Sequence, residues 1–144
     1  MQHKERTMSD AQRALKVPKL EQASMNEDHH EAARLLDQVG QARAAGDDAA
    51  LHAAFAAFVD YNREHFARED ALMERVRFPQ ADYHRQEHAA HLARWEALLA
   101  GLEDGSVQGG DLAAALDDEI IPWYQRHFTT MDALLAQFAQ RADA

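Results

Sequence analysis

Four segments of this chain repeat apolar residues at steps of three and four, and each carries histidine inside the apolar seam rather than beside it. The pattern restricts the fold severely, because such steps keep side chains on one face of an α-helix and of no strand. Met25, His29, Ala32, Leu36 and Val39 share the first seam. Leu51, Phe55, Phe58, Asn62, His65, Glu69, Leu72 and Val76 share the second, so His65 and Glu69 face the same way as the phenylalanines. Ala81, His84, His88, Trp95 and Leu98 or Leu99 form the third, and Leu112, Leu116, Ile120, Trp123, His127, Met131, Leu134 and Phe138 the fourth.

Helix-ending residues divide the chain at matching places. Ser24 and Glu27 have the spacing of a capping box, Gly46 ends the first helix, and Asp47 or Asp48 can cap the second. Phe78-Pro79 breaks the pattern, and a third helix is expected from about Gln80 to Ala100, stopped by Gly101. A polar, glycine-rich link leads to Asp111, read as the cap of the fourth helix. The expected fold is all-α, an up-down-up-down four-helix bundle over residues 24–144, with residues 1–23 as an N-terminal arm in which Val17-Pro18-Lys19 cannot be helix interior.

Two local irregularities are predicted in the fourth helix. Pro122 lacks an amide hydrogen and crowds the preceding turn, so the helix should kink between Asp118 and Pro122 or restart at Pro122. His127 and Asp132 are five residues apart, which on an ideal helix leaves about 140° between them, so the backbone should widen if both serve one site.

Composition limits the chemistry. At 144 residues the chain is expected to be one domain, and with no cysteine it offers no thiolate for zinc or iron–sulfur centres. Any metal must be held by nitrogen and oxygen. Fifteen basic against 25 acidic residues give a net charge of −10, which argues against nucleic acid or an anionic membrane as partner. No stretch reads as a signal peptide or a membrane span, and a cytoplasmic location is expected.

The histidines then demand an explanation. There are nine, spread from His3 to His127. A polar group buried without a partner costs about 1–3 kcal/mol and a lone charge far more, so histidines and acids on a seam need compensation. His65 and Glu69, and likewise His84 and His88, stand four residues apart, which places each pair on one helical face a turn apart. His29 and His127 come from the two remaining helices, with Asp132 shortly after. Five imidazoles supply five bonds, and two carboxylates that each bridge two ions supply four. A bridging hydroxide or oxide adds two, which leaves one open position on a pair of six-coordinate metals. That arrangement suits a small diatomic ligand such as dioxygen. Nitrogen and oxygen donors suit iron, and residue type alone leaves manganese and zinc open.

These motifs resemble the hemerythrin family, which in chain order shows a lone His in the first helix, HFxxEExLM in the second, FP or YP before HxxxH in the third, and WLxxHIxxxxD in the fourth. Here they read Met25-Asn26-Glu27-Asp28-His29, then His65-Phe66-Ala67-Arg68-Glu69-Asp70-Ala71-Leu72-Met73, then Phe78-Pro79 with His84 and His88, then Trp123-Tyr124-Gln125-Arg126-His127 with Asp132. The resemblance spans about residues 25 to 138. It implies that His84, His88 and His127 hold one iron, that His29 and His65 hold the other, and that Glu69 and Asp132 bridge them. It also implies reversible dioxygen binding at the iron with two histidines, for storage, delivery or sensing.

Of the other histidines, His3, His30 and His52 are read as non-ligands, and His91 either as a partner to a ligand or as an ordinary polar residue of the core. Two residues depart from the family. Asn26 stands where Asp is usual, which bears on a contact behind the ligands. Tyr124 stands where the family has Leu beside the dioxygen pocket, and it is taken as a ligand-pocket residue. Its phenol is the one feature favouring an enzyme that acts on peroxide or nitric oxide, while an iron-storage or regulatory module is a third reading. Nitrogen-rich ligation favours a binding protein over the carboxylate-rich set of ferritin-like oxygen-activating enzymes.

Overall fold

The computed structural model describes residues 15–143, all of whose regular structure is helical. Helix α1 runs Ala23–Ala45, α2 Asp48–Val76 and α3 Ala81–Asp104. The fourth arm of the bundle is assembled from α4 (Gly109–Ala115), a π-helical turn (Leu116–Ile120), α5 (Ile121–Thr129) and α6 (Met131–Asp143). Links of two to four residues join the arms, too short for anything but antiparallel neighbours, so the four-helix bundle expected from periodicity is the fold.

Several helix ends differ from expectation. The capping box at Ser24 does not form: α1 begins two residues earlier, at Ala23 behind Gln22, with no side-chain cap. Asn26 is engaged instead, its amide oxygen accepting from the Leu20 backbone N–H at 2.8 Å and its amide nitrogen donating to the Leu20 carbonyl at 3.0 Å. An aspartate there could not donate. At the other end Gly46 takes φ 69° and closes α1. The Asp47 side chain accepts from Ala50 N–H at 3.0 Å, as read from sequence. Gly101 does not stop α3. It is buried inside the helix, where a Cβ would collide with Val107. The stop falls at Gly105, which takes φ 85°. Asp111 is not the cap of the fourth arm. Gln108 is, and Asp111 sits three residues on, accepting from the Gln108 backbone N–H at 2.9 Å.

The disturbance expected between Asp118 and Pro122 takes the form of a π-helical turn that overlaps that stretch. The Ile121 N–H reaches back to the Leu116 carbonyl, and the α-helix resumes at Ile121 with Pro122 in its first turn, where no amide hydrogen is needed. The irregularity expected between His127 and Asp132 is a break at Thr130, which takes φ -118° and ψ -75°. Its hydroxyl bonds the Arg126 carbonyl at 2.6 Å. The break re-phases the last helix. Leu134, expected in the seam, is 47% exposed, and Asp132, Leu135, Ala136 and Ala139 face inward.

Two apolar clusters fill the bundle. The larger contains Phe55, Phe58, Phe66, Trp95, Trp123, Tyr124 and Phe128, and the smaller Met25, Met73, Phe78, Ala81, Leu135 and Ala136. In every arm the polar seam residues fall between members of the two clusters. His29 lies near the start of α1, Glu69 near the end of α2, His84 near the start of α3 and Asp132 late in the fourth arm. Antiparallel order therefore brings all four to one level. No described helix is long and apolar enough to cross a membrane.

Candidate metal centre

Eight polar side chains are buried among the described residues: His29, His65, Glu69, His84, His88, His127, Asp132 and Asn62. The first seven converge in two groups that share the carboxylates. One contains Glu69, His84, His88, His127 and Asp132, the other His29, His65, Glu69 and Asp132, and within each a donor atom from every member lies within 4.8 Å of all the others.

The carboxylates divide their oxygens between the groups. Oε1 of Glu69 lies 3.3 Å from His84 Nε2 and 3.1 Å from His88 Nε2, while Oε2 lies 3.4 Å from His65 Nε2 and 3.7 Å from His29 Nε2. Oδ1 of Asp132 lies 3.1 Å from His84 Nε2 and 3.0 Å from His127 Nε2, while Oδ2 lies 2.8 Å from His29 Nε2. The Nε2 atom of His127 is 3.1 Å from that of His84 and 3.2 Å from that of His88.

Six of the nine atoms that make these contacts, Nε2 of His29 and His65 and the four carboxylate oxygens, have no hydrogen-bond partner among the described residues. Nine buried nitrogen and oxygen atoms lack a hydrogen-bond partner among the described residues, and all nine belong to His29, His65, Glu69, His84, His127 and Asp132. Even the 2.8 Å approach of His29 to Asp132 lacks hydrogen-bond alignment. At about 1–3 kcal/mol per orphaned group, nine would cost roughly 10–25 kcal/mol, as much as the whole stability of an ordinary domain. A bound cation removes about two thirds of that cost by receiving the lone pairs of the six that face the centre, Nε2 of His29 and His65 and the four carboxylate oxygens. Nδ1 of His29, His84 and His127 lies on the far side of each ring. The spacing fits as well: donors at about 2.1 Å from an ion and about 90° apart are about 3.0 Å from one another, close to most of the separations above. A nitrogen and oxygen donor set of this kind suits iron and leaves no role for a thiolate metal.

Without a cation the group polarises itself. Burial opposes protonation of His29 and His84, but the carboxylates of Asp132 and Glu69 outweigh it and raise both to about 9. Burial would raise Glu69, and the charge of His65 with the contacts of His29, His84 and His88 holds it well below the usual carboxylate range. Asp132 is likewise low, burial and Glu69 being overcome by His127 and His29.

Aromatic rings lie against the imidazoles. Phe128 stacks on His29 with centroids 4.0 Å apart, Phe66 on His88 at 4.0 Å and Trp123 on His127 at 4.4 Å. Tyr124 is fully buried among Phe58, Trp95 and Phe128, and its hydroxyl donates to Oδ1 of Asn62, whose amide donates to the Phe58 carbonyl at 2.7 Å. Burial, and then the charges of Glu69 and Asp132, hold the phenol well above its ordinary pKa.

The remaining histidines stay outside the groups. His30 is exposed, His52 pairs with Glu103 at 3.3 Å, and His3 lies outside the described residues. His91 bonds none of the seven; it stacks on Trp123 at 4.3 Å, and the Trp123 indole N–H donates to Glu87 at 3.0 Å. Sequence reasoning overlooked two acids. Asp28 approaches Nδ1 of His65 at 3.3 Å and Asp70 approaches Nδ1 of His88 at 3.1 Å. Each is adjacent in the chain to a clustered side chain, Asp28 to His29 and Asp70 to Glu69, but each serves an imidazole on another helix, a pairing that sequence spacing does not state.

Known proteins supply the context for this geometry. The chain is 32% identical over 120 residues to a protein named Bacteriohemerythrin from Ralstonia nicotianae, covering 83% of this chain and 82% of that one. Residues 21–139 match the family model described as Hemerythrin HHE cation binding domain, a span that contains every one of the seven clustered side chains, and the chain belongs to the hemerythrin family.

Proposed function

We propose that this protein holds two iron ions and binds dioxygen reversibly. His84, His88 and His127 would hold one ion, His29 and His65 the other, with Glu69 and Asp132 bridging both. The observation that carries the reading is the division of each carboxylate, one oxygen toward each set of imidazoles. When bound, an iron pair supplies two electrons and an open coordination position for a small diatomic ligand.

The chain's own residues shape that position. The set around His29 and His65 has one imidazole fewer than the other, so it is the side with room. Phe128, Phe66 and Trp123 fix the planes of three imidazoles and keep water from them. Donation of the Tyr124 proton to Asn62 takes that hydroxyl away from the role of hydrogen-bond donor to a ligand, which favours the binding protein over the enzyme acting on peroxide or nitric oxide.

Optical spectra of the anaerobically reduced protein before and after dioxygen, with metal analysis, test this. Two irons per chain and a spectrum restored by removing the gas are expected. No stable change with dioxygen would favour a storage or regulatory module, and rapid steady-state consumption of peroxide or nitric oxide would favour the enzyme.

A further inference from the structure

The backs of the five imidazoles are supported unequally. Nδ1 of His29, His84 and His127 is buried without a partner among the described residues, so only His65 and His88 are anchored from behind, one in each donor group. An anchored imidazole is held in one tautomer and one ring orientation, and an anionic anchor makes it a stronger electron donor to a metal.

The two anchors differ in charge. Asp70 meets His88 and no guanidinium or ammonium among the described residues. Asp28 is held from three sides: Nη2 of Arg68 donates to its Oδ1 at 2.9 Å, Nε of Arg68 to its Oδ2 at 3.3 Å, and the Tyr61 hydroxyl to its Oδ1 at 2.7 Å. Tyr61 completes the arrangement. Its ring lies parallel to His65 with centroids 6.0 Å apart. Its hydroxyl accepts from Arg68 Nη2 at 3.3 Å, and the guanidinium carbon sits 5.5 Å from its ring centre, within the range of a cation–π contact. A two-point guanidinium contact both fixes a carboxylate and draws off its negative charge.

We propose that Arg68 acts through Asp28 as a positioning residue for His65, fixing that imidazole while damping its anionic backing, so that the ion on His29 and His65 is electronically distinct from the ion on His84, His88 and His127. The inference rests on the two-iron reading of the site. It assigns the two ions unequal support from residues that hold neither of them.

The test is Mössbauer spectroscopy of protein loaded with iron-57, with iron affinity from chelator competition and the reduction potential of the pair. Asp28→Ala should displace one of the two iron doublets and weaken binding of one ion about 10–100-fold, while Asp70→Ala displaces the other doublet. Asp28→Asn keeps a hydrogen-bond acceptor of the same shape, so it should restore most of the affinity while the doublet stays displaced. Arg68→Gln should lower the potential by leaving Asp28 more anionic, and the same change in the Asp28→Asn background should do far less. Unmoved doublets in both Asp28 variants, or an Arg68→Gln effect of equal size in both backgrounds, would overturn this inference alone. A parent protein with fewer than two irons per chain would overturn the two-iron reading with it.

Discussion

Replacing Tyr124 with Phe separates what its ring does from what its hydroxyl does. The ring is fully buried among Phe58, Trp95 and Phe128, and phenylalanine preserves those contacts. What is lost is the donor to Asn62 Oδ1, an atom in a side chain that is 0% exposed. A buried acceptor left without its donor costs about 1–3 kcal/mol. For a domain of this length that corresponds to a fall in Tm of about 3–10 °C. Asn62→Leu should cost a similar amount, by orphaning the hydroxyl instead. The double variant Tyr124→Phe/Asn62→Leu removes both groups and should cost less than the two single variants added together, by roughly 1–2 kcal/mol. Thermal unfolding followed by circular dichroism, on samples of equal metal content, gives all three values. The same variants address the site: Tyr124→Phe should leave the lifetime of the dioxygen-induced optical change within about twofold of the parent, because the proton it removes was committed to Asn62. Strict additivity in the cycle would refute the bond. A several-fold change of lifetime in Tyr124→Phe would show that the hydroxyl serves the ligand.

Glu69→Ala or Asp132→Ala should lower the bound metal from two ions per chain to fewer than one, since each side chain faces both donor groups; two metals per chain in both variants would refute the bridging assignment. Metal-free protein should have a bounded range of stability. His29 and His84 are raised from 6.5 to about 9, so their contribution is complete below about pH 6.5 and is lost as pH rises through 9, while the lowered Glu69 and Asp132 contribute above about pH 4.5 and lose that contribution in acid. Tm of the metal-free chain should therefore fall between pH 6.5 and 9, and loading metal at pH 7 should release protons into a weakly buffered solution. A flat Tm with no release would contradict both. Gly101→Ala should destabilise by about 1–3 kcal/mol through collision with Val107, and Gly101→Ala/Val107→Ala, which removes the closer Cγ2 contact but keeps Cβ, should recover part of that in thermal unfolding.

Periodicity and spacing determine a great deal here, because an amphipathic helix states its inward face within a few turns of its own sequence. The pairs His65 with Glu69 and His84 with His88 share a face through helical geometry alone, and the rules for glycine at Gly46 and aspartate at Asp47 act over one turn. Antiparallel order then places four chemically distinctive stretches at one level without reference to any tertiary contact. Local rules fail where a partner beyond the helical turn decides. Gly101 reads as a stop, yet the helix runs on to Asp104 with Val107 folded back against the glycine, and Ser24 yields its capping role while Asn26 clasps the backbone of Leu20. The five-residue step from His127 to Asp132 announces an irregularity, but the break at Thr130, and the turning of Leu134 outward with Asp132 inward, depend on how the last helix packs. The anchors behind the imidazoles lie further still from what a sequence can state. Asp28 neighbours His29 in the chain but supports His65 on α2, where Arg68 and Tyr61 bind it, and Tyr124 faces Asn62 from a separate arm. Each of these pairings joins two helices, so it exists only once their rotations about their own axes are set by the packing of the core between them.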